Sequence, residues 1–178
     1  MLFDTFGIEI ALMFGKMNKP TNTGGCKMDK PRIESIKIKH MVDEYPDTSF
    51  IGDFSDTPKD GAINHKERSG ENRVYEWFNP GSDPEYAEQD YKRIMELENG
   101  HFSFIGIHAE ATVSYSTGGD NRRLEWFTSS GLWGIESDSD QAYLEEIENE
   151  EISNLKNHLE QFNVDVSSFD EIEIERDD

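Results

Sequence analysis

The sequence has little cysteine, few basic residues and no long hydrophobic run. Cys26 is the only cysteine among 178 residues, so the chain cannot form an internal disulfide or a thiolate-rich zinc site. Near the start, the longest uncharged stretch, Ile10 to Gly15, is far shorter than the ~20 residues that span a bilayer. The apolar segment from Met1 to Phe14 lacks the basic leader of a signal peptide. We therefore expect an intracellular protein with no membrane anchor and no cofactor.

Basic residues are scarce: the chain has 17 of them and 38 acidic residues, which gives a net charge of −21. Residues 136–178 alone hold sixteen acidic side chains and only two basic ones, Lys156 and Arg176. A dense anionic field repels nucleic acid and membranes and favours basic protein surfaces. The composition thus predicts a protein partner and no direct contact with nucleic acid, and it leaves the oligomeric state open.

Strongly hydrophobic residues are also few, since Leu, Ile, Val and Phe together number 39. These 39 of 178 residues are about 22% of the chain, just above the level of about 20% below which a highly charged chain stays disordered. We expect a folded centre with loose ends: a leader or extension at 1–27, one domain at 28–166, and an acidic tail at 167–178. Ile172 and Ile174 alternate with acids, so an edge strand is the alternative for the tail.

Three methionines are candidate starts of the chain: Met1, Met17 and Met28. The stretch from Lys19 to Gly25 between them has the breakers and small polar residues of a linker. The segment before residue 28 is interpreted as a leader, with an N-terminal helix docked on the domain as the alternative.

Alternating apolar residues predict the strands of an antiparallel sheet. In the first, Ile36 and Ile38 lie on one face and Lys37 and Lys39 on the other. A further short run from Phe50 to Phe54 has the same character. Segments near 33–42, 74–78, 103–116, 121–128 and 131–135 are the predicted strands, and turn residues at 117–121 join two of them as a hairpin.

Two helices are predicted, and with the sheet they give an α+β fold in which both helices pack on one face. The first spans 84–98, because Asp83 and Pro84 favour a helix start and Asn99-Gly100 favours a stop. The second spans about 139–162, with its apolar residues within one arc of the helix. Ser55 to Asn72 is polar and rich in breakers, which predicts a long mobile loop.

Two carboxylates of the second helix fall inside its apolar arc, Glu148 and Glu151. Buried carboxylates are costly unless they are paired. Facing His108 and Glu110 of the long strand, they could hold a divalent cation or act as acid and base. The alternatives are a helix that overhangs the sheet edge, or neutralisation by Arg122 or Arg123.

The chain has no motif of established chemistry. The five histidines lack zinc-site spacing, and no Walker loop, dinucleotide fingerprint or nucleophile–His–acid order is present. Three tryptophans, Trp77, Trp126 and Trp133, occur in strand-like runs, and we expect at least two in the core. No catalytic residue and no metal ligand is therefore assigned.

Two runs of the sequence carry a resemblance to a known group of proteins. They are Phe104-Ile105-Gly106-Ile107-His108-Ala109-Glu110-Ala111 and Gly131-Leu132-Trp133-Gly134-Ile135-Glu136-Ser137-Asp138-Ser139. With the stretch from Tyr86 to Tyr91, the chain resembles a family of small uncharacterised bacteriophage and mobile-element proteins over about residues 34–163. The resemblance implies expression in the cytoplasm of a bacterial host and carries no activity.

The leading hypothesis is a non-enzymatic phage protein that binds a host protein with a basic surface. Its predicted interaction surface is the acidic run of the second helix: Glu145, Glu146, Glu148, Glu150 and Glu151. At ~1.5 Å per residue these charges approach the spacing of about one per 1.7 Å in duplex DNA, so a DNA mimic acting against host defence is one form of the hypothesis. The alternatives are a small metal-dependent hydrolase using Glu148, Glu151, His108 and Glu110, and a minor virion component.

Overall fold

The computed structural model describes residues 30–70, 73–81, 83–118 and 120–177. The predicted leader over 1–27 lies outside these residues. The strands of the described chain are β1 (Arg32–Val42), β2 (Gly52–Ser55), β3 (Ile63–Asn64), β4 (Trp77–Pro80), β5 (Phe104–Gly118), β6 (Asn121–Thr128), β7 (Leu132–Glu136) and β8 (Ile174–Asp177). The helices are α1 (His65–Ser69), α2 (Ala87–Glu98) and α3 (Gln141–Gln161), with 3-10 turns at Pro84–Tyr86 and Phe169–Glu171.

The predicted α+β class with two main helices is confirmed. The larger sheet has the order β6-β5-β1-β8, and β7 also pairs with β5. A second sheet has the order β2-β4-β3. The segment predicted as a strand at 74–78 thus contributes β4 to a separate sheet, and the helix predicted at 84–98 packs there rather than beside α3.

The larger core lies between one face of the five-stranded sheet and α3. Ile36 and Ile38 are fully buried there, as the period-2 pattern of β1 predicts. The same core contains Leu155 and Leu159 of α3, which are also fully buried. Burial of these faces, at roughly 25 cal/mol per Å² of apolar surface, fixes α3 on this side of the sheet.

A smaller core joins α2 to the second sheet. Phe78 of β4 is fully buried and packs edge-on against Tyr91 of α2, with ring centroids 5.5 Å apart. Phe104 belongs to this core although it begins β5 of the larger sheet. The first residue of the long strand therefore ties the two sheets together.

The predicted mobile loop at 55–72 contains ordered structure among its described residues. Ile63 and Asn64 pair with β4, and Asn64 caps α1 by accepting a hydrogen bond from the Glu67 N–H at 2.8 Å. A two-residue strand and a five-residue helix are too short to give a periodic signal. The segment is therefore held in place by the second sheet.

The C-terminal segment follows the edge-strand alternative for its described residues. Phe169 is buried in the larger core, and β8 runs parallel to β1 with Ile36 opposite Ile174. Arg176 therefore stands beside Ile38, on the face that α3 covers. Among the described residues, no helix is both long enough and apolar enough to cross a bilayer.

The edge formed by β6 and β7 is one strand with an interruption at residues 129–131. Ser129 continues the ladder, since its N–H donates to the Ala109 carbonyl and its Oγ accepts from the Ala109 N–H, both at 2.9 Å. Gly131 has φ of 74°, a conformation that favours glycine. The break turns the backbone of Gly131 toward α3.

Candidate functional site

The acidic run of α3 divides into an exposed group and a buried group. Glu145, Glu146 and Glu150 are exposed, and we call them the outer glutamates. None of the three forms an ion pair with a residue of the described chain, although Glu145 accepts a long hydrogen bond from Gln141. Their carboxylates are therefore available to a partner.

Glu148 and Glu151 are only 5% and 4% exposed. Their assignment to the interaction surface is therefore wrong. The physical reason is the helical period, which at about 100° per residue turns both side chains onto the sheet side of α3. Only three of the five glutamates in this run are therefore exposed to solvent, fewer than the sequence alone suggests.

Glu148 is contacted from two strands at once, and Arg176 neutralises its charge. Its Oε2 accepts a hydrogen bond from Arg176 Nε at 2.8 Å, and its Oε1 lies 3.0 Å from His40 Nε2. His40 comes from β1 and Arg176 from β8, so the carboxylate links α3 to both strands. These side chains line a cleft of about 400 Å³ at the start of α3.

Glu151 has a different environment on the neighbouring turn. Its Oε2 accepts the Gly131 N–H at 2.9 Å, and its Oε1 accepts from Asn154 Nδ2 at 3.1 Å. The break between β6 and β7 thus leaves one backbone donor that this carboxylate satisfies. The alternative of neutralisation by Arg122 or Arg123 is wrong, since Arg122 pairs with Glu34 and Arg123 with Glu125.

His108 and Glu110 lie on the opposite face of the sheet from the α3 carboxylates. Alternation along β5 directs Ile107 and Ala109 to the α3 core, so the residues between them point away. Glu110 pairs with Lys39 at 3.1 Å on that far face. The four residues of the hydrolase hypothesis are therefore not brought together, and the described residues contain no cluster of three or more ligating side chains suited to a metal.

The tryptophans depart from the prediction that at least two fill the core. Trp126 is 66% and Trp133 49% exposed, and Trp77 is partly exposed. Trp126 lies opposite Thr112 on the face away from α3, and the Trp133 ring lies over Gly106, where a Cβ would come within 2.3 Å of it. Aromatic content alone does not reveal which face of a strand is covered.

Sequence reasoning missed a charged cluster around Arg93 of α2. Its Nη2 donates to Glu136 Oε2 at 2.7 Å, its Nη1 donates to Asp138 Oδ2 at 2.9 Å, and its Cζ lies 3.5 Å from the Phe102 ring centroid. The arginine hydrogen bonds hold the pKa of Asp138 below its ordinary value. Two acids two residues apart after a strand are a weak signal, because their partner lies more than forty positions away.

Comparisons of the chain with protein-family models, curated proteins and solved structures return no match.

Proposed function

We propose that this is a non-enzymatic binding protein of a phage or mobile element, whose outer glutamates contact a basic surface on a protein in the host cytoplasm. The observation that supports the proposal most directly is the arrangement of Glu145, Glu146 and Glu150. All three are exposed and unpaired within the described chain, on a helix whose other face is buried.

The cost of this arrangement in the free protein supports a binding role. Glu146 and Glu150 are four residues apart, where like charges destabilise a helix by about 0.2–0.5 kcal/mol. The buried carboxylates of α3 have partners within the protein, Arg176 for Glu148 and the Gly131 N–H for Glu151, but Glu146 and Glu150 form no ion pair within the described chain. A basic partner would relieve the repulsion between Glu146 and Glu150. Its binding to this group is therefore more favourable than its binding to the same carboxylates placed far apart.

The rigidity of α3 adds to the argument. Asp140 caps its N-terminus by accepting the Ala142 N–H at 2.8 Å, and Glu148 and Glu151 fix its orientation over the sheet. A preordered surface loses less conformational entropy on binding than a flexible acidic tail. The acidic group is therefore presented in one geometry.

The test is affinity capture from a bacterial host extract on the immobilised full chain. Two variants with the same net charge are compared: Glu145→Gln/Glu146→Gln/Glu150→Gln, and a control at the exposed residues Glu67, Glu76 and Glu85, also changed to Gln. We expect a basic host protein to be retained by the wild type and the control and lost from the outer variant. Equal retention on all three columns would contradict the proposal.

Salt and duplex DNA separate the forms of the proposal. An interface built on exposed carboxylates weakens as ionic strength rises, because the Debye length falls from about 30 Å at 0.01 M to about 8 Å at 0.15 M. In the DNA-mimic form, duplex DNA displaces the protein from its partner by competition for one basic surface. Retention that is unaffected by salt would overturn both forms.

A further inference from the structure

The larger sheet has two edges of very different length. β8 forms one edge with four residues, whereas β6 forms the other with eight. Short edge strands limit unwanted pairing, but a long exposed edge is a template for a further strand. Within the described chain no strand pairs with the outer side of β6.

The exposed residues of β6 have the character of an interface. Leu124 is 49% and Trp126 66% exposed, and both lie on the sheet face that α3 does not cover. Arg122 and Arg123 place two of the chain's few positive charges on this strand, where Arg122 pairs with Glu34 and Arg123 with Glu125. The repulsion between two chains of net charge −21 is therefore weaker along β6 than over the rest of the surface.

We propose that β6 pairs antiparallel with β6 of a second copy of this chain, about a twofold axis through Leu124. The axis places Arg123 of each copy opposite Glu125 of the other, and Arg122 opposite Trp126. Opposite charges and cation–aromatic contacts at cross-strand positions stabilise antiparallel pairs. The strand is thus complementary to its own copy.

The register follows from the same residues. Moving the axis by one residue would place Arg123 or Glu125 opposite its own copy, and like charges there destabilise the pair. The twofold axis stands perpendicular to the larger sheet, so the larger sheets of the two copies join into one continuous sheet. Helix α3 of each copy then lies on the same side of it. Arg123 and Glu125 pair within the free strand, and in the dimer each exchanges that contact for one across the axis.

The test measures the mass of the full chain by analytical ultracentrifugation at about 0.15 M ionic strength, where screening limits the repulsion between two chains of charge −21. We expect a concentration-dependent shift from 20.5 kDa to twice that mass. Arg123→Glu and Glu125→Arg, each alone, place like charges across the axis and give monomers.

Mixing the two variants provides the decisive result. Positions 123 and 125 are both acidic in the Arg123→Glu chain and both basic in the Glu125→Arg chain. Opposite charges therefore meet across the axis of a mixed pair, and the heterodimer forms although neither variant self-associates. An ion pair between positions 123 and 125 of the same strand would not make the two variants associate with each other. Lys59→Glu changes the net charge as Arg123→Glu does, at an exposed ion pair of the second sheet, and leaves the dimer intact.

Three outcomes overturn the inference: a wild-type monomer at all concentrations, a dimer that survives both single variants, and variants that remain monomeric when mixed. The outer glutamates belong to α3 and are unchanged in every variant. A failure here leaves the proposed binding function untouched.

Discussion

Glu148 and Glu150 lie two residues apart on α3 and meet opposite surroundings. Glu148 is buried and holds Arg176 and His40, whereas Glu150 is exposed and unpaired within the described chain. A carboxylate that links three elements contributes to stability, and one in solvent contributes little. The role of each acid follows from its angle on the helix.

Replacing Glu148 by Ala is expected to lower the free energy of unfolding by about 1–3 kcal/mol, because its hydrogen bonds to a cation are lost. Urea denaturation measures the change, and Glu150→Ala is the matched control, expected within about 0.5 kcal/mol of the wild type. Equal losses for the two variants would show that Glu148 does not link the strands.

His65 is the buried histidine of the smaller core. Its Nδ1 lies 3.0 Å from the Tyr91 hydroxyl, and its ring lies 4.5 Å from that of Phe54. Burial lowers the pKa of His65 below its ordinary value, with a further contribution from the positive charge of Arg73. The neutral ring is therefore the form that the fold accommodates.

Stability is expected to depend on pH through this group. As pH falls below about 6.5 the unfolded chain takes up the proton first, so this contribution is complete above that pH and is lost as pH falls through the lower folded value. Urea midpoints between about pH 7.5 and 5.5 should fall less for His65→Gln than for the wild type. The exposed His101→Gln is the control, and an unchanged pH dependence in His65→Gln would refute the assignment.

At the residue scale the sequence placed Glu148 and Glu151 in the apolar arc of α3 but also assigned them to the interaction surface, so it predicted neither their burial nor their partners. The helical period alone places Glu148 and Glu151 toward the sheet. Arg176 is 28 positions from Glu148 and His40 is 108. Such partners depend on strand order, which no local pattern contains.

At the element scale, α2 is joined to the end of β7 by Arg93. The guanidinium binds Glu136 and Asp138 and lies over the ring of Phe102. Bidentate arginine contacts of this kind are not reproduced by lysine. The cluster therefore connects the smaller core to the start of α3.

Removing this cluster should loosen α2 selectively. Arg93→Ala is expected to cost about 1.5–3 kcal/mol, and Arg93→Lys should recover only part, because the planar fork is lost. Hydrogen exchange of α2 amides reports the change directly. Lys92→Ala, at the neighbouring exposed residue, serves as control, and equal exchange in both variants would contradict the role of Arg93.

Local signals account for the strongest elements. Asp83 accepts the Glu85 N–H at the predicted helix start, and α3 begins at the Asp140 cap, slightly later than predicted. β5 and β6 follow the predicted hairpin. The division into two sheets and the parallel pairing of β8 depend on contacts distant in sequence, so periodicity could not predict them.

At the scale of the whole molecule, charge is the dominant property. The net charge of −21 is distributed so that many basic residues lie in ion pairs, while the outer glutamates remain unpaired in the described chain. Uniform acidity serves solubility, but a preordered unpaired group can also select a partner. The proposed binding function depends on the position of the outer glutamates on α3 and not on the net charge alone.

The most direct test is the dissociation constant for the captured host protein, measured by calorimetry with the wild type, the outer-glutamate variant and the equally charged control. The account predicts that the outer variant binds at least about tenfold more weakly, a loss of about 1.4 kcal/mol, while the control remains close to the wild type. Equal weakening of both variants would show that only total charge matters and would contradict a specific site on α3.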